Sequence, residues 1–67
     1  MTKKDYERFA EAFQDCYPHG NVELLAQWNA CRDAIARVLR ADNYRFVQGR
    51  FSAACEPGAN VRARHGY

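Results

Sequence analysis

One stripe of apolar residues runs through the middle of this 67-residue chain and repeats with the period of an α-helix. Its members recur every three or four positions, at Leu24, Trp28, Cys31, Ile35, Val38 and Leu39. That spacing places them on one face of a helix about 20 residues and about 30 Å long. Asn21 is a favourable N-cap before the stripe, and Glu23 suits the positive end of the helix dipole. The sequence therefore predicts a central amphipathic helix.

A first helix is predicted before this segment. Its apolar stripe consists of Tyr6, Phe9, Ala10, Phe13 and Tyr17. Thr2 followed by Asp5 resembles a capping box at the start of the helix, and proline and glycine in residues 18–20 end it. Because that loop is short, we expect the first two helices to be antiparallel neighbours.

A short third helix is predicted near the C-terminus, where Val47, Phe51 and either Ala54 or Cys55 restore helical spacing. Gly49 weakens this helix by about 1 kcal/mol relative to alanine. Residues 44–46 alternate too briefly for a sheet, so we expect an extended connector there. Trp28 is expected to be buried against Phe9 and Phe13.

These patterns predict an all-α fold: an antiparallel helical hairpin with a short third helix and a flexible C-terminal tail. We expect a single helical domain at residues 1–56 and a flexible basic tail at residues 57–67. The chain is 48% hydrophobic and 27% charged, a balance typical of globular domains rather than disordered ones. No apolar run approaches about 18 residues, so no membrane span and no membrane partner are expected. No apolar block follows Lys3 and Lys4, so a secretory signal peptide is not expected either.

The three cysteines are the residues that come nearest to a chemical motif. Cys16 and His19 have the spacing of half a zinc site, which Cys31 and Cys55 could complete. The same cysteine and histidine could instead form a nucleophile pair. Cys31 and Cys55, however, fall on the predicted apolar faces, where a free thiol behaves as a small hydrophobic side chain. The sequence therefore favours reduced, buried thiols, and it predicts no metal, no cofactor and no catalytic residue.

Partner binding is the function class that remains, and its candidate residues are near the connector and in the tail. They are Tyr44, Arg45, Arg50, Arg62 and Arg64. The net charge of only +2 argues against nucleic acid as their partner, without excluding it. A helix-turn-helix protein stays open as an alternative, although residues 41–46 exceed its usual turn of about 3–4 residues.

Two segments carry a resemblance to a known group of proteins. The run A-D-N-Y-R-F at residues 41–46 and the run R-F-S-A-A-C at residues 50–55 resemble a C-terminal pattern of small uncharacterised proteins encoded by bacteriophages of actinobacteria. The opening T-K-K-D-Y-E at residues 2–7 is similar to their usual start. Tyr44 replaces a proline of that pattern. Val47 replaces an aspartate that looks like the N-cap of the third helix, at a cost of about 1 kcal/mol.

The resemblance implies a phage protein that acts in the cytoplasm of the bacterial host, and it implies no reaction. Together with the residue patterns, it predicts a small non-enzymatic accessory protein that binds a host or phage protein, or a second copy of itself as a homodimer. A weak DNA-binding regulator and a structural subunit of a phage assembly are the alternatives.

Overall fold

The computed structural model describes residues 2–62, and these form three helices and no strand. They are α1 (Lys3–Asp15), α2 (Val22–Asp42) and α3 (Gln48–Ala54). The predicted all-α class is confirmed. Arg64 and the rest of residues 63–67 lie outside the described part of the chain, and so does Met1.

The predicted caps begin the first two helices. Thr2 is the N-cap of α1, and its backbone N–H donates to Asp5 Oδ2 over 2.8 Å. This bond, more than any other interaction, lowers the pKa of the Asp5 carboxyl from its usual value. Asn21 caps α2, and its Oδ1 accepts a 2.9 Å hydrogen bond from the backbone N–H of Leu24. Gly20, with φ of 77°, provides the left-handed turn between the two helices.

The third helix starts without side-chain capping, as the valine at its N-cap predicts. Val47 makes no side-chain cap hydrogen bond. The connector before it is a turn rather than the extended segment that we expected. Phe46 N–H donates to the Asn43 carbonyl over 2.9 Å, and Arg45 N–H donates to Asn43 Oδ1 over 3.0 Å. An asparagine side chain that accepts a hydrogen bond from the backbone N–H two residues later favours such a turn. The turn places the Phe46 side chain in the core.

Five aromatic rings in continuous contact form the centre of the domain, and a sixth extends the series. Their centroid distances are 5.2 Å for Tyr6–Phe46, 5.5 Å for Phe46–Phe51, 6.2 Å for Phe51–Phe13, 5.9 Å for Phe13–Trp28 and 4.9 Å for Trp28–Tyr17. Phe51 of α3 is fully buried in the middle of the series. Edge-on and tilted pairs of this kind add stabilisation beyond the area that they bury. Phe46 and Phe51 thus anchor the short helix to the rest of the core.

Helix α3 packs against both α1 and α2, whereas direct backbone approach between α1 and α2 is sparse. Side-chain hydrogen bonds also connect α1 to the α2 region. Trp28 Nε1–H, in the first half of α2, donates to the Phe13 carbonyl near the end of α1 over 2.9 Å. Asn43 Nδ2–H, just after α2, donates to the Tyr6 hydroxyl near the start of α1 over 3.3 Å.

Only some residues of the two predicted apolar stripes belong to the buried core. Trp28 is buried and contacts Phe13 as predicted, but Phe9, Leu24, Cys31 and Val38 are exposed. The expectation that Phe9 and Cys31 are buried is therefore wrong. The physical reason is α3, which occupies the space between α1 and α2 and selects the side of α2 that carries Ala36 and Leu39. The opposite half of the wide apolar arc on α2 is left facing solvent.

The first residues of the predicted tail contact the core. Val61 packs against the buried cluster, and Gln14 Nε2–H donates to the carbonyls of Ala54 and Ala59 over 2.7 and 2.8 Å. These contacts tie residues 59 and 61 to α1 and α3. The division into a domain at residues 1–56 and a flexible tail stays a prediction.

Candidate functional site

An apolar groove opens between α1 and α2 on the side away from α3, and we call it the α1–α2 groove. Ala12, Phe13 and Cys16 line it from α1 and its C-cap, and Pro18 closes one end. Leu24, Gln27, Trp28 and Cys31 line it from α2. Its volume is about 410 Å³, within the range of sites that hold a ligand or a side-chain cluster. Gln27 contributes the one polar side chain of this lining, so the groove suits an apolar occupant.

The groove exists because exposed apolar residues of two helices face each other, and no third element within residues 2–62 lies over them. Leu24 is 56% exposed, although leucine is a residue that folding normally buries. Phe9 and Ala12 line a second, adjoining depression, which lengthens the apolar surface along α1. Contiguous exposed apolar surface on a small domain is typical of a binding site.

Arg32 packs over the Trp28 ring, which forms one wall of the groove. Its guanidinium lies 5.3 Å from the Trp28 ring centre, and its Nη1 lies 3.4 Å from Glu56 Oε1. The Arg32 Nη2 also lies 3.1 Å from Asp33 Oδ1. Sequence reasoning missed this residue. The signal that could have found it is the four-residue spacing between Trp28 and Arg32 on one helix, which brings a cation over an aromatic face.

Two of the three thiols are accessible. Cys16 and Cys31 are exposed and line the groove, and Gln27 Nε2–H lies 3.5 Å from Cys31 Sγ. Cys55 is buried, and burial raises the pKa of its thiol to about 11. The three cysteines therefore do not share one environment. The prediction of a buried thiol holds for Cys55 and is wrong for Cys31.

The residues of the conceivable zinc site are not gathered together. His19 packs its ring against Tyr17, with centroids 4.9 Å apart. Within residues 2–62, no three His, Cys, Asp or Glu side chains lie close enough together to hold a metal ion. Cys16 and His19 thus have no third potential ligand in the described part of the chain.

The described residues that we predicted to bind a partner do not line the groove. Tyr44 is 82% exposed, and Arg45 lies over its ring at 5.6 Å with Nε–H donating to the Tyr44 hydroxyl over 3.2 Å. Arg50 is exposed on α3, and Arg62 is exposed beyond it. Arg64 lies outside the described residues. Among the described ones, the structure joins Tyr44 with Arg45 and places Arg62 in a different depression, beside α1.

The basic residues near the two ends of the described chain share a surface with acidic ones. Lys3, Lys4, Arg8 and Arg62 line a depression together with Glu7 and Glu11. Mixed charge lowers the positive potential that phosphate binding requires. No described helix is both long and apolar enough to cross a membrane.

No family model matches this chain, and no curated protein or solved structure matches it. The functional assignment therefore rests on the molecule's own surface.

Proposed function

We propose that this chain is a small non-enzymatic protein that binds a protein partner by receiving an amphipathic helix in the α1–α2 groove. The observation that carries the proposal is the open apolar lining, with Leu24 and Cys31 exposed beside Phe13 and Trp28. A groove between two helices can bury the apolar face of a third helix, whose side chains repeat every three or four residues.

The dimensions and chemistry of the groove favour a helix over a small polar substrate. Its volume of about 410 Å³ is lined by apolar groups, and none of its lining residues is an aspartate, glutamate, lysine or arginine. Such a site has few polar groups that could orient a polar substrate, but it has apolar area against which leucine-sized side chains can be buried. The adjoining depression on α1 carries both signs of charge, at Asp5 and Arg8, which can pair with the polar edges of an incoming helix.

The biological setting that we propose follows from the resemblance at residues 41–55. We infer a phage accessory protein that acts in the bacterial cytoplasm on a host or phage protein, or as a self-associating part of a phage assembly. Support for the alternative, a DNA-binding regulator, is weaker. Glu7 and Glu11 accompany the lysines and arginines of the depression that Arg62 shares with α1, and α3 has only seven residues to offer as a recognition helix.

A binding experiment at residue resolution tests the proposal. The probe is a synthetic amphipathic helical peptide of leucine and lysine, titrated into isotopically labelled protein and followed by NMR. We expect the amide signals of Ala12, Leu24 and Cys31 to shift. Leu24→Asp should weaken binding by about tenfold or more, because it buries a charge in an apolar contact.

Val22→Asp is the matched control, since Val22 is an exposed apolar residue of α2 outside the groove. It should leave peptide binding unchanged. A parallel titration with duplex DNA at physiological salt tests the alternative. Shifts confined to Arg45, Arg50 and Arg62 with the duplex, and none in the groove with the peptide, would overturn the proposal.

A further inference from the structure

Three exposed apolar residues on α2 repeat at intervals of seven. Leu24 and Val38 are 56% and 63% exposed, and Cys31 lies midway between them and is also exposed. Seven residues correspond to almost two helical turns, so the three side chains follow one line about 21 Å long on the helix surface. Exposed apolar residues of α2 thus form one line along the helix.

A second row lies beside this line. Gln27, Ala34 and Ala41 follow three residues after each member of the first row and neighbour it on the helix surface. Two of these three are alanines, which allow a neighbouring helix to approach closely. We call the two rows together the α2 seam. Leu24, Gln27 and Cys31 belong both to the seam and to the lining of the α1–α2 groove.

We propose that the helix bound in the groove is α2 of a second copy, arranged antiparallel so that Cys31 lies next to the partner's Cys31 on a two-fold axis. This inference rests on the proposed function and identifies its partner. In this arrangement Leu24 packs against Val38 of the partner subunit, and Val38 packs against the partner's Leu24. Each large side chain therefore meets another large one. Cys31, the smallest residue of the three, occupies the axis, where the two copies are identical.

Charge complementarity selects the antiparallel direction. Glu23 and Arg37 precede Leu24 and Val38 by one residue, and both are exposed. They occupy equivalent positions beside the seam, fourteen residues apart. Antiparallel pairing brings the Glu23 carboxylate beside the guanidinium of the partner's Arg37, and the symmetry repeats the pair at the other end. A parallel pairing aligns the two identical glutamates at one end and the two identical arginines at the other, and so loses this attraction.

Sedimentation equilibrium over about a hundredfold range of protein concentration measures the dimer directly. Glu23→Arg should weaken dimerisation by about tenfold, because it replaces two attractive pairs with two repulsive ones. Combining Glu23→Arg with Arg37→Glu should restore most of the affinity. Circular dichroism of each variant at low concentration checks that the monomer remains helical. A double variant no better than the single one would overturn the antiparallel pairing.

Cross-linking with a short bis-maleimide under reducing conditions gives a second readout of orientation. In a Cys16→Ser, Cys31→Ser background, Leu24→Cys combined with Val38→Cys should form covalent dimers, whereas either change alone should form few. Efficient cross-linking of the single variants would instead indicate a parallel dimer and refute the proposal.

The peptide titration separates failure of this inference from failure of the proposed function. A chain that stays monomeric at all concentrations, yet binds the leucine–lysine peptide in the groove, retains the function and refutes self-pairing. A monomer that leaves the groove empty refutes both.

Discussion

The indole Nε1–H of Trp28 donates a 2.9 Å hydrogen bond to the backbone carbonyl of Phe13. Phe13 belongs to the last turn of α1, where carbonyls lack donors from their own helix. One side chain of α2 thus completes the end of α1 while its ring packs edge-on against the Phe13 ring. The same ring forms part of the groove wall, so this contact links the stability of the domain to the shape of its candidate binding surface.

Trp28→Phe separates the hydrogen bond from the ring. It should lower the free energy of unfolding by about 1–2 kcal/mol, because the Phe13 carbonyl loses its donor while an aromatic ring is retained. Trp28→Ala should cost about 3–5 kcal/mol, which is enough to unfold a domain of this size. Urea denaturation followed by circular dichroism measures both. Equal stability of wild type and Trp28→Phe would show that the bond contributes nothing.

Arg32 should stabilise the domain mainly through its contact with Trp28. We expect Arg32→Ala to cost about 1–2 kcal/mol, since its side chain is only 15% exposed and covers the indole face. Glu56→Gln should cost less than about 0.5 kcal/mol, because the Glu56 side chain is half exposed and its ion pair is screened. Thermal unfolding at low and high salt distinguishes the two contributions. A larger loss for Glu56→Gln than for Arg32→Ala would contradict this assignment.

Gln14 should hold the segment after α3 in place. Its Nε2 donates to two carbonyls, Ala54 and Ala59, and a carboxylate cannot donate to either of them. Gln14→Glu should therefore lower the free energy of unfolding by about 1–3 kcal/mol at neutral pH. Gln27→Glu, at an exposed position, serves as the control and should change it by less than about 0.5 kcal/mol. Hydrogen exchange of the Val61 backbone amide should also become faster in Gln14→Glu but not in Gln27→Glu.

Cys55 should react with thiol reagents far more slowly than Cys16. Burial raises the pKa of the Cys55 thiol to about 11, so the native state holds this proton more tightly than the unfolded chain does. The contribution of the Cys55 thiol to the free energy of unfolding is therefore fully present below about pH 9. It is lost as the pH rises towards about 11. Ellman's reagent, applied to a Cys31→Ser variant, should modify one thiol quickly and the second only on unfolding. Rapid modification of both thiols in the native state would refute the burial.

The helices and their caps could be predicted from the sequence alone. Thr2 with Asp5, and Asn21 with its own first turn, are local signals, because a cap is formed by residues within about four positions of one another. The helical spacing around Phe51 likewise predicted α3. The uncapped start at Val47 followed from the residue type. Each of these features is decided within one or two turns of helix.

Tertiary structure alone decided which half of the α2 stripe became core. The periodicity treats Leu24, Cys31 and Val38 as equivalent to Trp28 and Leu39, since all five lie within one wide apolar arc. The packing of α3 between α1 and α2 breaks that equivalence: it covers the arc on one side and leaves the α1–α2 groove on the other. Helical spacing specifies which residues share a face, but the position of the neighbouring helix, set by contacts between residues distant in sequence, determines how much of that face is buried.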